Sequence, residues 1–317
     1  MAEEKLSPPE MPYPWQGQQW DSLLRLHQNG RIPHAIMLNG PADVGKHQFA
    51  QALAQLVLCL DPLGGYGCGR CKSCRLLAAE SHPDLLSVEP EEVGKAIKID
   101  QIRATRDFVT KTSQQGGWKV AIIDPAEAMN VNAANALLKS LEEPSANTLL
   151  ILICHRVSGV PATIRSRCRM IPFSVPSINQ GLNWLTQVVA SDNNPQWLLE
   201  QAGGKPLLAL KLVEGDLLEQ RANFDELLDQ VASGSLSPVV AAEKCSRLNA
   251  SELLEWLIGR VSSSIRTQLG DKASRPLFSY HDRLVTARRE ILGSSNPNLQ
   301  LLWETLLLDW QTLRSSN

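Results

Sequence analysis

The sequence predicts a parallel α/β sheet in its N-terminal half and an all-helical C-terminal half. Three observations carry this expectation. Short apolar runs alternate with stretches of helical periodicity between residues 35 and 154, the pattern of right-handed β–α–β crossovers. Residues 148–154 (TLLILIC) are apolar almost without alternation, as in a parallel strand covered on both faces. Past Pro176 such runs vanish, and Leu, Trp and Ala recur at helical spacing to the end.

Residues 35–39 (AIMLN) are the first expected strand, and they lead into the turn Gly40-Pro41-Ala42-Asp43-Val44-Gly45-Lys46. A helix should follow over 46–58, with Phe49, Leu53, Leu56 and Val57 on one side. Residues 61–74, rich in Gly and Cys, should be loop. A strand is expected at 85–88. Asp100 can cap a helix running to about Thr110, where Ile102, Thr105 and Val109 are periodic. The strand at 119–123 should end at Asp124, because a residue before proline is pushed to extended geometry. A helix at 131–142 is stopped by Pro144. In the second half, Gly203-Gly204-Lys205-Pro206 and the stretch 233–238 are the punctuation. These breaks suggest a nucleotide-binding-like domain at 1–174 with a cysteine module at 59–74, a small helical domain at 175–214 and a helical domain at 215–317.

At 317 residues the chain has room for two or three domains. A formal charge of −2 excludes a global basic field that would draw it onto nucleic acid. No apolar run reaches the roughly 18 residues of a membrane helix, and residues 1–13 have no apolar h-region. Cytoplasmic residence and no membrane partner are therefore expected. Seven cysteines, four of them clustered, suit a reduced compartment and a metal site better than a disulfide framework.

Those four are Cys59, Cys68, Cys71 and Cys74, spaced C-x8-C-x2-C-x2-C. Thiolates two residues apart converge on one ion, and four of them close a tetrahedral structural zinc site. A redox pair would need no third or fourth thiol; an iron–sulfur cluster is the competing reading. The G-x4-G-K turn through Gly40, Gly45 and Lys46 normally needs Ser or Thr next to bind Mg²⁺, and here His47 stands there. The turn is either a degenerate phosphate loop that holds nucleotide weakly or a tight βα turn with Lys46 in solvent. Asp124 sits where an ATPase would place a Mg²⁺-binding carboxylate, but Pro125 follows it and cannot polarise water. Asp124 could equally cap its turn. Glu142 and Glu143, adjacent on a helix, do not face each other and read as a solvated end, with Lys139 four residues before Glu143. Arg165, Arg167 and Arg169 would share a face if extended, as a basic edge or as a guanidinium aimed at a phosphoryl group.

Taken together, the cysteine insert, Pro33-His34-Ala35, His82-Pro83-Asp84, the run from Asn135 to Pro144 (NALLKSLEEP) and Ser166-Arg167-Cys168 resemble the clamp-loader branch of the AAA+ ATPases, from Tyr13-Pro14-Trp15 to about Phe173. The resemblance implies an AAA+ sheet domain with a zinc knuckle, a helical lid and a helical collar. It implies that Cys59, Cys68, Cys71 and Cys74 ligate zinc, and that Arg167 acts on ATP bound by an adjacent subunit. It implies work within the DNA polymerase III holoenzyme, a DNA-directed DNA polymerase. The partners would be gamma/tau-type and delta subunits in a heteropentamer, and through the complex a sliding clamp and primed DNA. The departures at His47, at Pro125, at Ile153-Cys154-His155 and at Gly203-Gly204-Lys205-Pro206 imply a member that does not hydrolyse ATP. The competing readings are an active gamma/tau-like ATPase and a zinc-knuckle protein that binds nucleic acid.

Overall fold

The computed structural model describes residues 11–92, 94–115, 117–190, 194–214, 217–267, 274–291 and 297–315. Most of the 1–13 segment, and the expected domain boundary at 214/215, lie wholly or partly outside them. The chain forms two compact units, residues 1–210 and 211–317.

In the first unit the elements run α1 (Gly17–Gln28), β1 (Ala35–Asn39), α2 (Lys46–Leu58), α3 (Lys72–Ala78), β2 (Leu85–Val88), α4 (Ile99–Thr110), β3 (Lys119–Ile123), α5 (Val131–Glu142), β4 (Thr148–Cys154), α6 (Ala162–Arg165), β5 (Arg169–Pro172), α7 (Ile178–Val188) and α8 (Pro195–Gln201). The five strands pair parallel throughout, in the order β2-β3-β4-β1-β5. The α/β expectation therefore holds. The sheet separates two cores by strict alternation. Ile36, Leu38, Val120, Ile122, Leu149, Ile151 and Ile153 face α1 and α2, packing with Trp20, Leu23, Phe49 and Leu53. Ala35, Met37, Ala121, Ile123, Leu150, Leu152 and Cys154 face α4 and α5, packing with Ile102, Val109, Leu137 and Leu141. Burial on both faces is the reason these strands carry no polar alternation.

Three local expectations need correction. Asp100 does not cap its helix: Lys98 is the N-cap, and Asp100 is already the second residue of α4. Residues 72–74 are not loop: Cys71 caps α3 by accepting the Cys74 N–H, so Cys74 is already helical. Arg165, Arg167 and Arg169 do not share an extended segment. Arg165 closes α6, Arg167 sits in the following turn and Arg169 opens β5. α6 forms because Pro161 at its N-cap fixes the entry and Ser166 N–H closes the turn on the Ala162 carbonyl.

A helix α9 (Pro206–Glu214) spans the division between the units. The second unit continues with α10 (Leu217–Ala232), α11 (Pro238–Ser246), α12 (Ala250–Thr267), α13 (Ser274–Ile291) and α14 (Leu299–Ser315). Its core is Phe224, Leu228, Leu254, Leu257, Tyr280, Trp303 and Trp310. Two of those rings are anchored by polar tips: Trp310 Nε1 donates to the Leu228 carbonyl and Tyr280 Oη to that of Leu306, both at 3.0 Å. Among the described residues no helix is long and apolar enough to cross a membrane.

Candidate functional site

The phosphate-loop-like turn lies between β1 and α2. Lys46, the first residue of α2, is 3% exposed, and its Nζ turns back to donate to the carbonyl oxygens of Gly40, at 2.8 Å, and Pro41. Lys46 is thus not the solvated side chain of the tight-turn reading. Burial pulls its ammonium down to about 8, with Asp124 and Glu127 acting against that shift. Gly45 adopts φ 88°, and a Cβ there would sit 2.3 Å from the Tyr13 ring. The segment at 13–16 closes over the turn. Trp15 Nε1 and Gln16 Nε2 both donate to the Val44 carbonyl, at 3.0 and 2.9 Å. Tyr13 stacks on Trp15 at 4.9 Å, and both rings meet Trp184 of α7 edge-on. This cover was missed from sequence; its signal was the aromatic pair flanking Pro14.

Next to Lys46, His47 occupies the position where a phosphate loop needs a hydroxyl. Its Nδ1–H donates to Asp124 Oδ2 at 2.8 Å, and its Nε2 accepts from Gln51 Nε2 at 3.0 Å. The Gln51 donor fixes the tautomer, since an Nε2 that accepts carries no proton. Asp124 is consequently spent on an imidazole instead of capping its own turn. His155 Nε2 lies 3.6 Å from the other oxygen of Asp124. Burial, then Lys46, pulls the His155 pKa down. Glu127 is also committed: its carboxylate accepts the backbone N–H of His155 at 3.0 and 3.1 Å and that of Arg156 at 3.0 Å. Cys154 ends β4 as a buried neutral thiol, pushed up to about 12 chiefly by burial and then by Glu127. Mg²⁺ takes oxygen ligands in a strict octahedron, so the side chains around Asp124 do not fit a nucleotide-bound Mg²⁺.

The four cysteines do converge. Their Sγ atoms all lie within 4.8 Å of one another. Cys59 and Cys71 are 3.9 Å apart, close to the roughly 3.8 Å between sulfurs that each sit about 2.3 Å from one tetrahedral zinc. Backbone N–H groups of Cys68, Cys71 and Cys74 point at Cys59, Cys68 and Cys71 sulfurs at 3.3, 3.3 and 3.4 Å. Such donors stabilise thiolate. Burial pushes the Cys59 and Cys74 thiols up. At Cys71 burial acts in the same direction, but the N–H groups of Cys74 and Leu60 outweigh it and bring that thiol to about 6. Gly69 at φ 69° makes the turn between Cys68 and Cys71. Four sulfurs in this arrangement could hold one metal ion and leave it no open position.

A buried polar relay leads away from this module. Ser73 Oγ donates to the Leu58 carbonyl at 2.7 Å and accepts from His82 Nε2 at 2.8 Å. His82 Nδ1 accepts the Asp84 N–H at 3.0 Å, so the imidazole is neutral, and burial lowers its pKa further. The Asp84 carboxylate, fully buried, accepts from Ser113 Oγ and from the N–H groups of Gln114 and Gln115, each at 2.9 Å. Lys119 Nζ lies 3.4 Å from it. From sequence, His82-Pro83-Asp84 was only a mark of resemblance; its partners come from loops that the sequence does not align.

Arg167 sits where the ends of α5 and α6 meet. Its Nη1 donates to the Thr163 carbonyl at 2.9 Å and approaches Ser166 Oγ at 3.4 Å. Its Nη2 pairs with Glu142 Oε1 at 2.7 Å, the two side chains being 37% and 51% exposed. Glu142 is the exposed helix end that was expected, and it also has a partner: α5 and α6 pack together, and its carboxylate meets the turn after α6.

The site can be set beside known proteins. A family model described as DNA polymerase III, delta subunit, matches residues 15–177. The DNA polymerase III subunit delta' of Pseudomonas aeruginosa is 38% identical over 323 aligned residues, covering 95% of this chain and 98% of the relative. The subunit delta' of Escherichia coli K12 is 31% identical over 260, covering 81% and 77%. The DNA polymerase III subunit gamma of Buchnera aphidicola subsp. Schizaphis graminum is 29% identical over 165, covering 52% and 45%.

Proposed function

The chain belongs to the DNA polymerase III delta-prime family, and on that premise we propose that it is a noncatalytic clamp-loader subunit that supplies Arg167 in trans to the ATP site of a neighbouring subunit. Its partners are gamma/tau-type and delta subunits in a ring-like pentamer that opens a sliding clamp and places it on primed DNA. Residues 175–214 serve as the lid and 215–317 as the collar that assembles the ring. The observation that carries the reading is the 2.8 Å bond between His47 Nδ1 and Asp124. It sets an imidazole donor where Mg²⁺ would need two oxygen ligands. With Glu127 tied to the backbone of His155 and Arg156, neither it nor Asp124 is left to polarise water. A guanidinium offered to another subunit needs no nucleotide of its own.

The purified chain should show ATP turnover at background, measured by steady-state phosphate release. His47→Thr alone should not restore it, because the base position remains Pro125. Robust turnover that Lys46→Ala abolishes would instead assign the chain to the gamma/tau type, a working ATPase.

The metal in the cysteine site is zinc on this reading, since four thiolates suit its tetrahedral preference. It stabilises the fold of the 59–74 module and supplies no reaction chemistry. Elemental analysis should find about one zinc per chain. Cys71→Ser should lose it and lower the melting temperature, while the ATPase rate of the reassembled complex stays near that of the parent. A native chain with four thiols freely titratable by Ellman's reagent and no metal would count decisively against the assignment.

A further inference from the structure

Resting on the assignment of Arg167 as the residue offered in trans, we infer that Glu142 is its positioning residue. The observation is the geometry of a single guanidinium. A guanidinium has five N–H donors in a rigid plane. For Arg167, Nη1 is held by the Thr163 carbonyl at 2.9 Å and by Ser166 Oγ at 3.4 Å. Nη2 is held by Glu142 at 2.7 Å. Among the described contacts the Nε–H and one Nη2–H have no protein acceptor. Two anchors on different nitrogens fix both the position and the tilt of the plane, and the remaining donors are left for an oxyanion that the chain does not itself contain. At 37% exposure the group is half in solvent, where an unanchored arginine would sample many rotamers.

Glu142 is suited to this by its place in the fold. It is the last residue of α5, a helix whose Asn130 side chain caps the far end and whose Ala133, Leu137 and Leu141 are locked in the core. The carboxylate therefore projects from a rigid element. Thr163 belongs to α6, packed against α5, so both anchors move as one body. The pair is exposed enough that its own contribution to stability is small, which separates a positioning role from a structural one.

The test uses the complex reassembled from this chain and its partner subunits, with Glu142→Ala, Glu142→Gln, Arg167→Ala and the double variant. Glu142→Ala should slow hydrolysis at the one ATP site that Arg167 faces, read by single-turnover phosphate release in the presence of clamp, by about two- to tenfold, because misplacing a reacting group by an ångström is costly. KM for ATP, assembly and melting temperature should stay unchanged. Glu142→Gln, which still accepts a hydrogen bond, should recover part of the rate. In the Arg167→Ala background, Glu142→Ala should have no further effect. If Arg167→Ala slows the complex and Glu142→Ala does not, or if Glu142→Ala accelerates it, the positioning role is overturned and the trans assignment stands. An equal loss from Glu142→Ala in both backgrounds overturns it too. If Arg167→Ala itself changes nothing, the trans assignment falls, and the role of Glu142 with it.

Discussion

Arg167→Ala should leave folding and assembly intact yet slow hydrolysis at the one ATP site it faces by on the order of 10³–10⁵. The effect is large because charge develops on the transferring phosphoryl group, and a planar cation placed there stabilises the transition state more than the bound nucleotide. On the proposed reading it should appear only in the complex, since the phosphoryl group Arg167 acts on belongs to the neighbouring subunit. Other sites keep their own arginines, so the summed rate of a multi-site assembly should fall far less than the single site. Single-turnover hydrolysis and clamp loading onto primed DNA are the measurements. Arg167→Lys should not rescue, because an ammonium cannot satisfy Thr163, Glu142 and an incoming oxyanion from one plane. Arg169→Ala, exposed at the start of β5, is the cleaner control; Arg165 is half-buried and its loss also removes packing. Equal effects from all three arginines, or normal loading by Arg167→Ala, would reduce this residue to part of a basic edge.

Asp84→Ala should be the most destabilising single change outside the apolar cores, by about 3–5 kcal/mol, the usual cost of breaking a buried ion pair from one side. It would strand the Gln114 and Gln115 N–H groups, the Ser113 hydroxyl and Lys119, which is 5% exposed and lies over the Phe108 ring at 4.0 Å. Urea denaturation read by tryptophan fluorescence measures this loss; a change under about 1 kcal/mol would show that the cluster is dispensable. The pH dependence has a defined sign. Burial alone would raise the Asp84 pKa, but the Gln114 and Gln115 N–H groups, Ser113 and Lys119 outweigh it and hold the carboxyl below its usual 3.8. Its contribution is therefore complete above pH 3.8 and is lost as pH falls through the lower folded value. His82 has a pKa lowered from 6.5, mainly by burial. It favours the fold above that pH, and its contribution declines as acid protonates Nδ1 and removes the acceptor for Asp84 N–H. Acid should thus weaken the chain in two stages, and Asp84→Ala should lack the lower one.

How much of this was legible in the sequence depended on the distance over which each feature is specified. The central strands at 35–39, 119–123 and 148–154 were readable because a strand buried on both faces must be apolar at every position. The cysteine cluster was readable because its ligands lie within one short module and the spacing itself brings the sulfurs together. β5 was not recognised. It is a four-residue edge strand with Arg169 and Met170 exposed, so hydrophobic burial wrote little pattern into it. α3 was hidden by the glycines and cysteines of the turn before it.

The chemistry of the sites was divided in the same way. From sequence alone, His47 and Pro125 were legible as departures from the residue types a hydrolysing phosphate loop and strand end carry, because a residue type either has a given atom or lacks it. That His47 takes possession of Asp124, 77 residues away, follows only when β3 is laid into the sheet beyond β4 and its end is brought next to the start of α2. Lys46 read as either a phosphate ligand or a solvated cation; the structure buries it and turns it onto the turn's own carbonyls. Glu142 read as a solvated helix end, since helical spacing gives it no partner within α5. The packing of α6 across α5 supplies one in Arg167. Sequence pattern determined which side chains are available and which local elements form, through burial and spacing. Tertiary structure decided which polar groups meet, because hydrogen bonds and ion pairs between distant segments depend on the strand order and helix packing that carry them there.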